Sequence, residues 1–385
     1  MSKVAIVTWT KWNNYGTVLQ SYALCSILSA SGFDAYVLDD RFISSSYCVE
    51  RWGEPRPFRL FLNRLKARFN VKNDSAWERF ASRRERFITK QKRSLIRYWR
   101  KDVRYATLGR LSHQFDYFVC GSDQIWTPDP VFFDPYYFLT FVNDKPKIAY
   151  APSFGRSSFP DDKADLVRLA LRDFAHLSVR EETGKRIIES ITGRNDVETV
   201  LDPTMLLTAH EWESRLHLDR SKCPDGPYAL FYFLGDQSWY RLEATSFCKQ
   251  KGIQEVCIPT LPQDYHEDDS PEIGAVEFLS LIRSATHVFT DSYHGFLFSL
   301  IFQRDVYVFQ RFDETDSRSQ NSRVKDLCRR LQLSHRYFAH AGGLHLSAPP
   351  IDYSLVDRLI AQERQKSFRF LMHSLDAATA RHGTE

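Results

Sequence analysis

The chain reads as an α/β protein of two Rossmann-like domains, and three observations predict this. Apolar runs of strand length recur along it, most of them empty into polar loops carrying Gly, Asn, Asp or Ser, and helical stretches separate one run from the next. Such alternation makes parallel sheets, and open parallel sheets bind ligands at the carboxyl ends of their strands. At 385 residues there is enough chain for two domains, each with its own core.

The first elements are a strand over Lys3 to Thr8, a polar aromatic loop from Thr10 to Gly16, a helix from Val18 to Ala30 stopped by Gly32, and a strand over Ala35 to Leu38. Asn13, Asn14 and Gly16 fall at the strand-to-helix turn, where backbone N–H groups and the helix dipole favour an anion. No GxGxxG points to a dinucleotide. The run from Phe115 to Cys120 breaks into Gly121, Ser122, Asp123 and Gln124 before returning to Trp126, the pattern of a buried strand opening into a site-building loop. Lys147 to Gly155 repeats that form, a helix over Asp162 to Phe174 follows, and Leu177 to Arg180 and Val200 to Thr204 supply the last strands of this half.

Cys223-Pro-Asp-Gly-Pro227 is dense in turn formers and reads as a linker. Beyond it come strands at Tyr228 to Leu234, Glu255 to Ile258, Thr286 to Thr290 and Val306 to Phe309, with helices at Ser238 to Lys251, Glu277 to Ser284 and Phe296 to Phe302. The expected organisation is an N-terminal domain over 1–222, a C-terminal domain over 223–345, and a closing helix and tail over 346–385.

The formal charge of +4 conceals an asymmetry. Residues 51 to 104 carry 18 Lys or Arg against 5 Asp or Glu, whereas the remainder carries 34 against 43. The pattern over about 42–110 is helical, with Phe58, Phe61, Phe69, Trp77, Phe80 and Phe87 interleaved among the cations, and reads as a basic helical insertion in the N-terminal domain. Such a segment serves either as a solvated charged face or as a docking surface for anionic lipid or a pyrophosphate-linked carrier. Nucleic acid is not expected, since no recognition motif accompanies the charge.

No apolar run reaches the roughly 18 to 20 residues of a membrane span. The opening Met1 to Val7 is too short for a signal peptide. The expected location is therefore cytoplasmic, peripheral at the inner membrane face if the basic segment docks there. The seven cysteines are scattered with no CxxC pair, which argues against a disulfide framework, a zinc site or a cysteine nucleophile.

Six blocks are specific enough to carry a resemblance. Asn14-Tyr-Gly-Thr-Val-Leu-Gln20, Gly121-Ser-Asp-Gln-Ile-Trp126, Tyr150-Ala-Pro-Ser-Phe-Gly155, Ser178-Val-Arg-Glu181, Leu201-Asp-Pro-Thr204 and Thr290-Asp-Ser-Tyr-His-Gly295 resemble, in this order, the polysaccharide pyruvyltransferase family over roughly residues 4 to 335. The resemblance implies a GT-B-like enzyme that moves the enolpyruvyl unit of phosphoenolpyruvate onto a lipid-linked or nucleotide-linked saccharide as a pyruvate ketal in surface-polysaccharide synthesis. It implies no cofactor beyond the donor substrate, and no metal cluster is visible in the sequence. Two other readings share the architecture: a GT-B glycosyltransferase using a sugar nucleotide, and a non-catalytic sugar-binding scaffold.

By the same resemblance, Arg180 is a phosphoenolpyruvate ligand and His294 the catalytic histidine. A fork-shaped, permanently charged donor suits a carboxylate and a phosphate, and a histidine suits proton transfer near neutral pH. Asp123 is expected to act as base toward an acceptor hydroxyl or to orient His294, or else to cap its own turn. Asn14, Tyr15, Gln20, Ser122, Gln124, Ser153, Asp291, Ser292 and Gly295 are expected to line the site. Where the family reads Arg-Leu-His, this chain reads Ser292-Tyr293-His294, so Arg311 or Arg323 is expected to replace the absent arginine. Asp202-Pro203-Thr204 is expected to fix a turn.

Overall fold

Strand β1 (Lys3–Val7) is an interior strand of its sheet, and Val4, Ala5, Ile6 and Val7 are all fully buried, as a strand covered on both faces requires. The computed structural model describes residues 1–43, 75–130, 132–316, 319–342 and 349–382. The chain divides into two units, the first formed by Met1–Asp74, Arg93–Leu206 and Arg364–Glu385, the second by Ser75–Lys92 and Leu207–Glu363.

In chain order the strands and helices are β1, α1 (Tyr15–Ala30), β2 (Asp34–Leu38), α2 (Ala76–Leu95), β3 (Tyr98–Trp99), α3 (Leu108–Ser112), β4 (Tyr117–Cys120), β5 (Lys147–Ala149), α4 (Ala164–Leu171), β6 (Phe174–Val179), α5 (Glu182–Thr192) and β7 (Glu198–Thr199). They continue with α6 (Ala209–Leu216), β8 (Tyr228–Tyr232), α7 (Ser238–Lys251), β9 (Gln254–Cys257), α8 (Ala275–Ser284), β10 (His287–Thr290), α9 (Tyr293–Ile301), β11 (Asp305–Phe309), α10 (Asn321–Arg330), β12 (Tyr337–Phe338) and α11 (Tyr353–His382).

The first unit holds a seven-stranded sheet, the second a five-stranded one, and every strand pair in both is parallel. The first runs β3-β2-β1-β4-β5-β6-β7, the Rossmann order extended by one strand. The second runs β12-β11-β10-β8-β9, the doubly wound order in which the chain steps to one neighbour and then returns past its starting strand. In each sheet the order reverses once, between β1 and β4 and between β8 and β10. The fold class expected from the sequence, two parallel α/β units, is the one observed.

The first unit's core centres on Trp126, fully buried, stacked on Phe138 at 5.3 Å and 7°, edge-on to Phe174 at 6.0 Å, and donating its Nε1–H to the Tyr137 carbonyl at 3.1 Å. This indole anchors the loop that follows β4. The second unit's core is aromatic: Phe289 stacks on Tyr307 at 4.9 Å, Phe247 meets Phe289 at 5.3 Å, and Phe233 meets Tyr240 at 4.7 Å.

Residues 44–74 of the expected basic insertion lie outside the described residues. The described part includes α2, whose residues up to Lys92 belong to the second unit. Its apolar face explains why: Phe80 packs against Trp77 at 5.6 Å and Tyr265 at 4.9 Å, and Arg84 lies over Phe80 while donating to the Pro259 carbonyl. Gln91 completes the seam, its Oε1 accepting from Val276 N at 3.0 Å and its Nε2 donating to Glu277 Oε2 at 2.9 Å, so that it caps α8 from outside. The helix expected from Phe296 starts three residues earlier, at Tyr293, because Ser292 caps it. Replacing Gln91 by Ala should leave the first-turn donor of Val276 without its acceptor and cost about 1–2 kcal/mol, read as a drop of a few degrees in melting temperature. An unchanged melting temperature would show that this side chain does not fasten α2.

Candidate active site

In the first unit, the loops at the point of strand reversal are tied together by side chains from the motif blocks. Thr8, the residue after β1, donates its hydroxyl to the Ser122 carbonyl at 3.0 Å. Gln20 on α1 donates Nε2–H to Thr8 Oγ1 at 3.0 Å and accepts from Ser122 N at 3.1 Å. Thr17 donates to Asp123 Oδ2 at 2.7 Å, and Asp123 Oδ1 accepts from Gln124 N at 2.8 Å, so this carboxylate serves both the turn and the helix. Asn14 caps α1 by accepting from Gly16 N at 2.9 Å. Gly121 is required here, with φ +121°: a Cβ would lie 2.0 Å from the Tyr150 carbonyl oxygen. Gly155 leaves room for Gln124, whose Oε1 would stand 2.3 Å from an added Cβ.

Arg180 lies beneath these loops. It is 2% exposed, donates Nη1–H to Asp202 Oδ2 at 2.8 Å, and has Nε 3.7 Å from Glu181 Oε2. Asp202, fully buried, is also 3.1 Å from Ser122 Oγ, and its other oxygen accepts from Thr204 N at 3.0 Å and Thr204 Oγ1 at 2.8 Å. It therefore fixes the expected turn and balances the arginine as well. Ser153 donates to Glu181 and accepts from Gly155 N at 2.9 Å. Four of the expected site residues, Gln20, Ser122, Ser153 and Arg180, are thus buried, the first two bonded to each other and the others to Glu181 and Asp202, while Tyr15 is buried in the first turn of α1 and Asn14 is exposed.

In the second unit, Asp291 plays the joining part. Its carboxylate accepts from Leu234 N at 2.7 Å, Gly235 N at 2.7 Å and Tyr240 OH at 3.0 Å, spanning the reversal between β10 and β8. Burial first, then the Asp291 charge, raises the Tyr240 phenol pKa, which keeps it a donor. Ser292 caps α9 by accepting from Gly295 N at 3.2 Å. Gly295 is required because a Cβ would stand 2.6 Å from Thr290 Oγ1. His294 is the second residue of α9, 7% exposed, its ring edge-on to Tyr293 at 5.5 Å.

Tyr293 lines a shallow recess together with Asp291, Arg311, Gln320, Asn321 and Arg323. Arg311, just past β11, donates Nη2–H to Gln320 Oε1 at 3.1 Å, and Arg323, in the first turn of α10, donates Nη2–H to the same oxygen at 2.6 Å. Arg323 lies over the Tyr293 ring at 5.5 Å and Arg311 over Phe312 at 4.8 Å. Both arginines named in the sequence as replacements therefore share one recess, joined by a residue that sequence reasoning did not single out. The available signal was Gln320 standing three residues before Arg323 at the start of a helix. Asn321, which clamps Phe312 through its carbonyl at 2.6 Å and its N–H at 3.3 Å, was also missed.

Among the described residues no group of three His, Cys, Asp or Glu side chains could hold a metal ion, and no helix is long and apolar enough to cross a membrane. Burial pushes the Cys25 thiol up to about 11 and those of Cys248, Cys257 and Cys328 up to about 12, which disfavours a thiolate nucleophile at each.

A family model described as polysaccharide pyruvyl transferase matches residues 14–311, a span that contains all six motif blocks in full and begins at Asn14, the first residue of the first. The chain belongs to the polysaccharide pyruvyl transferase family. It is therefore a transferase, and family membership brings a donor substrate and a saccharide acceptor. No curated protein sequence matches the chain. Solved structures similar to it include UDP-GlcNAc 2-epimerase from Methanocaldococcus jannaschii, 10% identical over 93% of this chain and 92% of that one with a TM-score of 0.48. They also include E. coli heptosyltransferase WaaC with ADP, 13% identical over 94% and 99% with a TM-score of 0.40, and the glycosyltransferase SnogD from Streptomyces nogalater, 12% identical over 95% and 95% with a TM-score of 0.41.

Asp202→Ala would leave the buried Arg180 charge without its nearest counter-charge, and should cost this pyruvyl transferase about 3–5 kcal/mol of stability. Asp202→Asn, which keeps an acceptor for Thr204, should fall between the two. Thermal unfolding measures both, and an Ala variant melting within about 2 °C of wild type would remove Asp202 from this structural role.

Proposed function

We propose that this enzyme transfers the pyruvyl unit of phosphoenolpyruvate onto two hydroxyls of a saccharide, forming a cyclic ketal and releasing phosphate. The observation that carries the reading is the pair Arg311 and Arg323 held on the one amide oxygen of Gln320. Two guanidinium groups in one recess favour an anion there, and a donor with both a carboxylate and a phosphate offers each fork a matching face. The helix start at Ser292, with α9 directed away from it, adds a favourable dipole.

In this reading His294 donates a proton to the methylene carbon of the donor as a saccharide hydroxyl, losing its own proton, attacks the neighbouring carbon. Phosphate then leaves with its bonding electrons, and a second hydroxyl closes the ring as it loses a proton. The product is a ketal bearing a methyl and a carboxylate. Arg180 acts through the loop it holds, and the donor's anionic groups are carried by Arg311 and Arg323.

Calorimetric titration with phosphoenolpyruvate tests this. Wild type should bind, Arg311→Ala and Arg323→Ala should each weaken binding at least about tenfold, and His294→Ala should keep binding while losing about 10²- to 10⁴-fold in turnover. Binding of UDP-sugars alone, or equal phosphoenolpyruvate affinity in both arginine variants, would overturn the reading in favour of glycosyl transfer or another donor.

A lipid-linked acceptor would need the enzyme at a membrane, and α2 supports that part of the proposal. Arg79, Arg83, Arg86, Lys90 and Arg93 are exposed and spaced four, three, four and three residues apart, placing them on one face of the helix within roughly 80° and over about 21 Å. The opposite face is the one that packs on Tyr265. Wild type should co-sediment with vesicles containing phosphatidylglycerol at about 0.1 M salt, and a variant with Arg79, Arg83 and Arg86 changed to Glu should lose most of that binding, at about 1 kcal/mol per cation. Equal sedimentation of the two proteins would count against membrane docking through this helix.

A further inference from the structure

The loop between β1 and α1 is held at both ends but presents an indole in its middle. At one end Thr10 Oγ1 donates to the buried Asp40 carboxylate and accepts from Asp40 N at 3.0 Å, while Tyr137 OH donates to the same carboxylate. At the other end Asn14 caps α1. Lys11 Nζ adds a bond to the Ile43 carbonyl at 3.3 Å. Between these anchors Trp12 is 45% exposed, the only exposed tryptophan among the described residues. The ring is thus displayed to water from a loop fastened at both ends.

The ring is propped as well as displayed. Phe132, from the loop that follows β4, contacts Trp12 at 5.5 Å in an edge-to-face arrangement and Trp9 at 5.3 Å. Trp12 and Phe132 therefore come from the carboxyl ends of the two strands that flank the first unit's point of reversal, where open α/β sheets bind ligands. The flanking side chains are amides: Asn13 is partly exposed and Asn14 exposed.

We propose that Trp12, braced by Phe132 and Trp9, is the stacking platform for a pyranose ring of the saccharide acceptor; this rests on the acceptor half of the function above. One face of a pyranose is a sheet of C–H groups that carry slight positive charge and lie well on an indole face, while the hydroxyls around its rim seek short amide side chains of the kind Asn13 and Asn14 supply. A preformed aromatic surface loses little conformational freedom on binding, so it orients a sugar at low entropic cost.

Saturation-transfer NMR with the methyl β-pyranosides of glucose, galactose and mannose, on the full chain, tests the platform without requiring turnover. Wild type should pass saturation to the ring C–H protons of at least one glycoside, Trp12→Phe should retain the effect, and Trp12→Ala should reduce it about fivefold, as loss of about 1 kcal/mol of stacking implies. Trp12→Ala should bind phosphoenolpyruvate with wild-type affinity. Glycosides bound equally by Trp12→Ala, no glycoside bound by wild type, or uridine bound at Trp12 in their place would each overturn the platform. Failure of phosphoenolpyruvate binding with the glycoside result intact would instead overturn the donor reading and leave the platform standing.

Discussion

A parallel sheet whose strand order reverses must leave its two middle loops diverging, and the backbone groups beside that gap need partners that no ladder supplies. Both units meet this constraint with polar side chains that reach across it. In the first, Gln20 and Thr17 on α1 hold Ser122 and Asp123 in the loop after β4. In the second, Asp291 after β10 accepts the two backbone N–H groups that follow β8. The motif residues are therefore, before anything else, the means by which each crevice keeps its shape. The same loops carry Trp12 and Asn14, both exposed, in the first unit, while in the second Arg311 is half-buried and Arg323 buried beside Asp291.

The two units solve the charge problem differently. In the first the arginine is inside: Arg180 is screened from water, so its desolvation must be offset by Asp202 and Glu181, and the carboxylates are in turn held by Thr204 and Ser153. Such a network gives rigidity, because Asp202 joins the arginine to the Thr204 turn and Glu181 joins it to the Ser153 loop. In the second, two arginines meet on a neutral oxygen at a recess. The Asp291 carboxylate lines the same recess, so the two cations there stand near one fixed negative charge.

The sequence made the strands legible because parallel strands buried on both faces read as unbroken apolar runs; β8, buried at all five residues, is an example. Helix α7 was readable to the residue, since its apolar spacing ends at Gly252. What escaped had tertiary causes. The two-residue strands β3 and β12 have no periodicity to detect. The association of residues 75–92 with the second unit rests on Arg84 with Pro259 and Gln91 with Glu277, partners 175 and 186 positions away. At the candidate site, the residue types were legible and their environments were not: only the fold shows that Asp202 takes the Nη1 of Arg180.

Position 292 shows how a departure from the family pattern is accommodated. Arginine there would bring a positive charge to the first turn of α9, where the helix dipole opposes it, and would lack the short hydroxyl that Gly295 N now bonds. Serine gives the helix a cap worth about 1 kcal/mol and leaves the positive end of the dipole open. The cations of the recess come from other elements: β11 ends beside β10 in the sheet, so a residue two positions past its end falls near the start of α9. Arg311 occupies that position, and α10 brings Arg323 to the same oxygen. Both guanidinium groups therefore stand on elements other than α9, one past a neighbouring strand end and one on α10, which leaves position 292 to the short cap that the helix start requires.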